Sequence, residues 1–141
     1  MDYKVLVVDS EEENCAILAH FLQHEGFHAE YEMKVDKVLK RIINENFKIV
    51  LCNLILDKMD GIQVLKKIKE YDAGTEVIMM SGYATITNIL RCRKNGAYGF
   101  LFKPFGDLSE VKDEITKAID ESSKWEKVLL KRKNFSSIMN K

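Results

Sequence analysis

The chain has 141 residues, 46% of them hydrophobic, which suits one globular domain and leaves no length for a second. Its 22 basic and 22 acidic side chains give a formal net charge of zero, so no global field attracts nucleic acid or membrane phosphate. Because no apolar run approaches the roughly 20 residues of a membrane span, we expect a cytoplasmic protein that binds neither nucleic acid nor membrane directly.

Short apolar runs alternate with longer amphipathic stretches along the chain, which is the pattern of repeated βα units and of a parallel sheet. The first, third and fourth runs are apolar almost throughout, as expected for strands covered on both faces, whereas residues 28–32 are polar and belong at a sheet edge. We predict five strands, at residues 4–9, 28–32, 49–53, 76–80 and 99–102.

The first helix is predicted to begin at Ser10. The segment from Ser10 to Glu13 has the form of a capping box, in which the serine hydroxyl and the glutamate carboxylate bind reciprocal backbone N–H groups. Helical spacing then places four apolar residues on one buried face, namely Ile17, Leu18, Phe21 and Leu22.

The next three helices follow from the same apolar spacing. The second is predicted at residues 35–45, the third follows Gly61, and the fourth runs from Thr85 to Asn95 and closes at Gly96, a usual residue for a left-handed C-terminal cap. The positions predicted to be buried in the second and third helices are Val38, Leu39, Ile42, Ile43, Ile62, Val64, Leu65 and Ile68.

The fifth helix is predicted to start at a capping box from Asp107 to Glu110 and to continue past the point where a compact domain needs it to stop. Two interpretations of its length stay open. Either residues 108–119 pack on the sheet and the rest is a solvated basic helix end, or the helix is a dimerising coil. The positions that alternate at spacings of three and four are Leu108, Val111, Ile115, Ala118, Ser122, Trp125 and Leu129.

Neither the cysteines nor the histidines indicate a disulfide or a metal site. The three cysteines form an odd set without CxxC spacing and are predicted to be reduced core thiols. The three histidines repeat at intervals of four, but Gly26 interrupts the helix, so we expect solvated side chains. These residues are Cys15, Cys52, Cys92, His20, His24 and His28.

Polar side chains stand at the ends of four predicted strands. Asp9 ends the first strand, Asn53 the third, Ser81 follows the fourth and Lys103 follows the fifth. Because the chemistry of open α/β sheets gathers at the carboxyl ends of the strands, we expect these four side chains to share one pocket.

These strand ends together resemble the receiver domain of two-component response regulators. The motifs are Val5-Leu-Val-Val-Asp9-Ser10, the strand ending at Asn53 with Gly61 after it, Val77-Ile-Met-Met-Ser81-Gly82 and Tyr98-Gly-Phe-Leu-Phe-Lys103-Pro104. The resemblance covers residues 3–122 and implies a flavodoxin-like, doubly wound α/β fold with a five-stranded parallel sheet in the order 2-1-3-4-5 and five helices.

The resemblance also divides the chain. Residues 1–122 form the receiver domain, and residues 123–141 form a helical extension or linker, or the start of a truncated output region. The ending from Asn134 onwards is similar to the linker that precedes the AAA+ module of some bacterial transcription activators, whose receivers this chain resembles in particular. The implied role is signal transduction in a phosphorelay, with transcription regulation as its output.

The pocket departs from the family at two positions. The phospho-accepting aspartate is replaced by Asn53, and a second metal-binding aspartate by Ser10. An amide has no anionic oxygen with which to attack phosphorus, so we expect no enzymatic self-phosphorylation. The metal site implied by the family, at Asp9, Ser10, Asn53 and the backbone of Ile55, is therefore vestigial, and we expect weak or absent Mg²⁺ binding and no other cofactor.

The remaining charges of the pocket are predicted to pair. Asp9 has no local partner in sequence, and in the family the Lys-Pro segment at position 103 adopts a cis peptide that aims the amine inward. We therefore expect an Asp9–Lys103 pair that the Asn53 amide extends into a closed polar network. Nearby Glu11, Glu12 and Asp57 could replace the lost carboxylates, but the helix dipole and turn formation already explain them.

The family couples its pocket to the surface through two residues, to which Ser81 and Phe100 correspond. The surface formed by the fourth helix, the fifth strand and the fifth helix then has two arrangements, and something other than a phosphoryl group must favour one of them. The partners implied are a histidine kinase or another signalling protein, and a second copy of the chain bound through the face from helix four to helix five or through the helical extension.

Two functional hypotheses follow. The first is a degenerate receiver that binds a partner or dimerises without phosphorylation. The second is an ordinary phospho-accepting receiver of a transcription regulator with an engineered Asp-to-Asn block at position 53. The additional change at Ser10 favours the first, because an engineered block needs only one substitution. An unrelated nucleotide-binding enzyme is disfavoured, since no GxGxxG or GxxxxGK[ST] segment follows any strand.

Overall fold

The computed structural model describes residues 3–139, and side chains are described for residues 3–134. Four residues lie outside the described part of the chain. They are Met1 and Asp2, at the start of the predicted receiver domain, and Asn140 and Lys141, at the end of the predicted extension. Strands and helices alternate throughout, in the order β1 (Lys4–Val8), α1 (Glu12–His24), β2 (His28–Glu32), α2 (Val35–Glu45), β3 (Ile49–Asn53), α3 (Gly61–Tyr71), β4 (Glu76–Ser81), α4 (Ile86–Lys94), β5 (Gly99–Phe102) and α5 (Ser109–Met139).

The five strands form one parallel sheet in the order β2-β1-β3-β4-β5, which confirms the predicted fold. The three central strands are buried on both faces, because helices cover each side. The polar strand β2 lies at an edge, as predicted, and each predicted strand differs from the observed one by at most one residue. Within the described residues, no helix has the length and apolar composition needed to cross a membrane.

Alternate residues of the strands build two separate cores. Helices α2, α3 and α4 pack on the face that carries Leu6, Val50 and Met79. Helices α1 and α5 pack on the opposite face, which carries Val7, Leu51 and others. Since successive side chains of a strand point to opposite faces, one apolar run supplies both cores.

Helix α1 does not begin where the sequence predicts. It starts at Glu12 after Glu11, and no side chain caps it, so the prediction of a Ser10 capping box is wrong. The physical reason is that the backbone N–H of Glu11 donates to Asp9 Oδ1 over 3.1 Å, so the buried carboxylate takes a hydrogen bond ahead of the helix. Of the predicted apolar face, Leu18 and Leu22 are buried, but Ile17 is exposed.

Helices α2, α3 and α4 follow the prediction closely. Gly96 adopts a positive φ of 94° after α4, and Asn46 adopts φ 59° after α2, since both chain segments need a left-handed residue to end the helix. Asp60 and Gln63 form a capping box at the start of α3. In α2, Val38 and Ile42 are buried as predicted, whereas Ile43 is exposed beside a groove between α2 and α3.

Helix α5 is continuous over 31 residues, which corresponds to about 46 Å at 1.5 Å per residue. Asp107 Oδ1 accepts the backbone N–H of Ser109, so Asp107 caps the helix, although the contact to Glu110 that defines a capping box is not formed among the described side chains. Part of the predicted stripe packs on the sheet, with Val111 and Ile115 fully buried. Beyond Ser122 the same stripe is solvated: Trp125 is 57% and Leu129 67% exposed.

All three cysteines are free and buried, which confirms that they are core thiols. Burial, followed by the nearby Asp9 charge, raises the pKa of Cys15 to about 12. Burial also raises the pKa of Cys52 and of Cys92. The thiols are therefore protonated at neutral pH and are poor nucleophiles. The three histidines are exposed, and α1 ends at His24, before His28.

Candidate functional site at the carboxyl ends of the strands

An ion pair occupies the middle of the predicted pocket. Asp9 follows β1, and Lys103 follows β5, at the same edge of the sheet. Lys103 Nζ donates to Asp9 Oδ2 over 2.8 Å, as the sequence predicts. The Asp9 side chain is 1% exposed and that of Lys103 is 20% exposed, so the pair is largely removed from water. The Lys103–Pro104 peptide bond is cis.

Every acceptor of Asp9 is engaged. Its Oδ1 accepts the Glu11 backbone N–H, its Oδ2 accepts the Lys103 amine, and its carbonyl oxygen accepts the Cys15 Sγ–H over 3.4 Å. A buried carboxylate is stable only when it is paired and hydrogen-bonded, and both conditions hold here. Asp9 and Lys103 therefore form a satisfied pair that holds β1 and β5 in place across the two strands between them.

Asn53 takes a different partner from the one predicted. Its Nδ2 donates to the backbone carbonyl of Ile55 over 2.8 Å, and among the described residues it forms no hydrogen bond with Asp9 or Lys103. The prediction of one closed network is therefore wrong at this residue. The reason is local: the chain turns after β3, held by Leu54 N–H donating to Met80 O over 2.8 Å, and brings the Ile55 carbonyl within reach of the amide.

The turn after β3 depends on Gly61, for which no role in the site was predicted. Its N–H donates to the Leu54 carbonyl over 2.6 Å. A Cβ at Gly61 would collide with the Asn53 carbonyl oxygen and would lie 2.8 Å from Leu54 Cα. The start of α3 thus lies directly against the backbone that positions Asn53 and Ile55. The signal for this was present in the sequence, as a glycine at the first helical position, where helix propensity alone disfavours it.

The residues that the family implies as magnesium ligands do not fit that ion here. The Asp9 carboxylate is bound to a lysine, Asn53 and Ser10 are neutral, and the Ile55 carbonyl accepts the Asn53 amide. Mg²⁺ requires hard oxygen ligands in near-octahedral geometry, with at least one or two carboxylates. Within the described residues, no group of three His, Cys, Asp or Glu side chains is arranged to hold a metal. Glu11, Glu12 and Asp57 are exposed and do not complete the set.

Ser81 and Phe100, for which the resemblance implies a coupling role, lie on the neighbouring strands β4 and β5. Ser81 ends β4 and is buried, and its Oγ both donates to the Tyr83 carbonyl over 2.9 Å and accepts the Tyr83 N–H over 3.0 Å. The hydroxyl therefore bonds within its own turn, and among the described side chains it does not bond with Asp9 or Lys103, although the Ser81 carbonyl accepts the Lys103 backbone N–H over 2.9 Å. Phe100 is half-buried against the core that includes Cys92 of α4, and its ring lies 5.1 Å from that of Phe102.

Four large apolar side chains are exposed on the elements next to these two residues. Tyr83 lies in the β4–α4 turn, Ile86 and Leu90 lie one turn apart on α4, and Phe102 lies on the edge strand β5. All four are exposed, which makes them a candidate interaction surface, here called the α4–β5 face. A second apolar groove, of about 400 Å³, lies between α1 and the β5–α5 loop beside Lys103 and contains Ile17 and Phe105. No pattern in the sequence predicted this groove.

Comparison with known proteins agrees with this geometry. The sequence profile described as "Response regulator receiver domain" matches residues 5–120. The chain is 30% identical over 115 residues to the transcriptional regulatory protein ZraR of Escherichia coli (strain K12), a match that covers 82% of this chain and 26% of that protein. It is 29% identical over 117 residues to sporulation initiation phosphotransferase F of Bacillus subtilis (strain 168), covering 83% of this chain and 94% of that protein.

A solved structure extends the likeness to the fold. The solution structure of the beryllofluoride-activated NtrC4 receiver domain dimer has a TM-score of 0.79 and 29% identity, and the match covers 84% of this chain and 98% of that one. The chain spans about a quarter of the length of the first curated relatives it matches. The chain has a sheet of order 2-1-3-4-5 with a pocket at its carboxyl edge, and the family profile matches most of its residues. It therefore belongs to the response regulator receiver domain family.

Proposed function

We propose that this receiver domain is degenerate, and that it serves signalling through protein–protein interaction or dimerisation without phosphorylation at position 53. The observation that supports this most directly is the 2.8 Å hydrogen bond from Asn53 Nδ2 to the Ile55 carbonyl. In a phospho-accepting receiver these two groups are the phosphoacceptor and a metal ligand. Here one group donates a hydrogen bond to the other, and neither is free for phosphoryl transfer.

The charge of the pocket supports the same proposal. Formation of an acyl phosphate needs an anionic oxygen as nucleophile and a cation that neutralises charge on the transferred group. Asp9 and Lys103 neutralise each other at 2.8 Å, and Ser10 and Asn53 contribute no charge. A pocket without net charge attracts a divalent cation weakly, because the Coulomb term that would offset its dehydration is missing.

Incubation with acetyl phosphate and Mg²⁺ tests the proposal. We expect intact-protein mass spectrometry to show no phosphoryl adduct on the unsubstituted chain. Beryllofluoride with Mg²⁺ should likewise leave the backbone NMR shifts of Ser81 and Tyr83 unchanged. These residues are suitable reporters because they are adjacent to the pocket. Trp125 is a poor fluorescent reporter for this purpose, since it lies exposed on the solvated part of α5.

Three variants sharpen this test. Ser10→Asp alone is the matched control and should remain unreactive, because the nucleophile is still missing. Asn53→Asp alone should react poorly, and Ser10→Asp/Asn53→Asp should form the adduct. A phosphoryl adduct on the unsubstituted chain would disprove the proposal. Efficient phosphorylation of Asn53→Asp alone would instead favour the alternative, an ordinary receiver of a transcription regulator with one blocking substitution.

The α4–β5 face is the surface we assign to dimerisation. Its four exposed apolar side chains lie on the β4–α4 turn, on α4 and on the edge strand β5, and the similar NtrC4 receiver domain is described as a dimer. The helical extension, with exposed Trp125 and Leu129, is the second candidate surface. Other expected partners are a histidine kinase and the output region of a transcription regulator, because the matched ZraR proteins are transcriptional regulators about four times longer than the matched segment.

Sedimentation equilibrium of two charge-inserting variants distinguishes the two surfaces. Leu90→Glu places a charge on the α4–β5 face, and Leu129→Glu places the same charge on the extension, in both cases at an exposed position. We expect Leu90→Glu to weaken the dimer at least about tenfold, which corresponds to about 1.4 kcal/mol, and Leu129→Glu to change it little. The reverse order would assign the dimer to the extension, and a monomer at all concentrations would remove dimerisation from the proposal.

A further inference from the structure

A groove of about 460 Å³ runs between α2 and α3, on the opposite side of the sheet from α1 and α5. Its floor consists of buried residues of the main core, among them Val38, Val64 and Ile68. Its walls are the half-buried Leu39 and Met59 and the exposed Ile43. On α2 the apolar residues that face the groove, Val35, Leu39 and Ile43, are spaced one turn apart and form a continuous line.

Three lysines frame this apolar floor. Lys40 lies on α2, Lys67 on α3 and Lys58 in the loop before α3, and all three are exposed. Asp36 is the one acidic residue among the side chains that line the groove. Among the described side chains, none of these lysines takes part in an ion pair. Three lysines against one aspartate give the groove lining a net charge of +2, so the rim carries an excess of positive charge beside an apolar line.

Two nearby cations outside the groove, Arg41 and Lys48, are paired with carboxylates. Arg41, the next residue on α2, bonds to Glu45 over 2.8 Å and also pairs with Glu30. Lys48 pairs with Asp72 over 2.8 Å. The chain thus neutralises cations on the other side of α2 and at the start of β3, whereas those on the groove rim remain available to a partner.

We propose that the α2–α3 groove docks an acidic amphipathic helix of a partner protein. Each of the two framing helices has 11 residues and is about 16 Å long, so the groove accommodates about three turns of a third helix. An apolar stripe on that helix packs on Leu39, Ile43 and the floor. Acidic residues on both flanks of the stripe reach Lys40 on one side and Lys67 on the other, which fixes the orientation of the helix.

The extension of α5 from a second copy does not have this chemistry. Beyond Ser123 its described part has one acidic residue, Glu126, and it is otherwise basic where it is charged. Its cations would meet the lysines of the rim, and like charges placed together oppose binding. The basic residues are Lys124, Lys127, Lys131, Arg132 and Lys133. This charge repulsion disfavours the extension as the occupant, so the proposed partner is a different protein. None of the residues that line the groove belongs to the strand-end pocket or to the α4–β5 face.

NMR titration of the full chain with a designed peptide tests the proposal. The probe is a peptide of about four helical turns with leucine at successive i, i+4, i+7 and i+11 positions and glutamate on both flanks of that stripe. We expect the amide shifts of Leu39, Ile43, Met59 and Lys67 to move together. Lys40→Glu/Lys67→Glu should weaken binding at least about tenfold through charge reversal.

The matched control is Lys124→Glu/Lys127→Glu, which makes the same change in net charge at two exposed positions of the extension. It should alter the affinity less than about twofold, since it lies outside the groove. Equal binding of a peptide with lysine in place of glutamate, or shifts confined to other surfaces, would overturn the proposal. Shifts at the groove caused by dodecanoate alone, or by protein concentration without peptide, would overturn it in favour of a small amphiphile or a second copy.

Discussion

Lys103→Met should lower the free energy of unfolding by about 3–5 kcal/mol at neutral pH, because it leaves the Asp9 carboxylate buried without its cation. Methionine keeps most of the apolar stem of the lysine, so the loss reports the charge and not the packing. Urea unfolding followed by circular dichroism gives this free energy by linear extrapolation. The substitution also removes the ion pair that links the ends of β1 and β5, so the amide signals of residues near Ser81 should broaden or change their shifts.

A double-mutant cycle separates the pair from its surroundings. Asp9→Asn retains an oxygen that can accept the Glu11 N–H, so Asp9→Asn/Lys103→Met should be clearly more stable than Lys103→Met alone. Lys112→Met is the matched control, since its partner Glu25 lies 3.4 Å away in an exposed pair, and it should cost at most about 1 kcal/mol. Equal losses for Lys103→Met and Lys112→Met would show that the pocket pair does not behave as a buried one.

Gly61→Ala should destabilise the protein by about 1–3 kcal/mol, although alanine is the better helix former. The added Cβ would meet the Asn53 carbonyl oxygen, the Leu54 Cα at 2.8 Å and the Leu54 carbonyl at 2.9 Å. All of these are backbone atoms, so no side-chain rotation relieves the collision. The start of α3 must move, and with it the turn that brings Ile55 to Asn53. Thermal unfolding measures the loss, and the Asn53 side-chain NH₂ signals report the turn.

Gly106→Ala is the control for this prediction. A Cβ at Gly106 meets no atom within 4 Å, so the substitution should change the free energy of unfolding by no more than about 0.5 kcal/mol. The two variants make the same chemical change, and the distance to neighbouring backbone is what separates them. A Gly61→Ala protein as stable as Gly106→Ala would mean that the close approach between α3 and the end of β3 is not required.

The order and type of the elements followed from the sequence because they depend on local periodicity. Alternating apolar runs and amphipathic stretches predicted all five strands to within one residue, and Gly96 marked the end of α4. The start of α1 was the exception. A capping box at Ser10 is locally reasonable, but the buried carboxylate of Asp9 binds the Glu11 N–H first, and that carboxylate is placed by a contact distant in sequence.

In α5, too, the local sequence predicts the helix, whereas distant contacts determine which of its residues are buried. The spacing of its apolar residues predicted one continuous stripe, and the helix does continue through residue 122 without a break. Ile115 and Trp125 lie on the same stripe of the helix. Ile115 is buried because it packs on the sheet, whereas Trp125 is exposed because the helix has passed the end of the sheet. Likewise Ile43 has the periodicity of a core residue, but it faces a groove because α2 and α3 do not close over it.

The parallel α/β sheet, the polar residues at its carboxyl edge and the amide in place of a carboxylate at position 53 all follow from residue order alone. The partner of each polar group depends instead on how the chain folds: Lys103 binds Asp9 across 94 residues of sequence, while Asn53 binds Ile55, two residues away. Periodicity and residue type act over a few residues, whereas a side chain's partner depends on which strand ends the folded sheet brings within about 3 Å of each other.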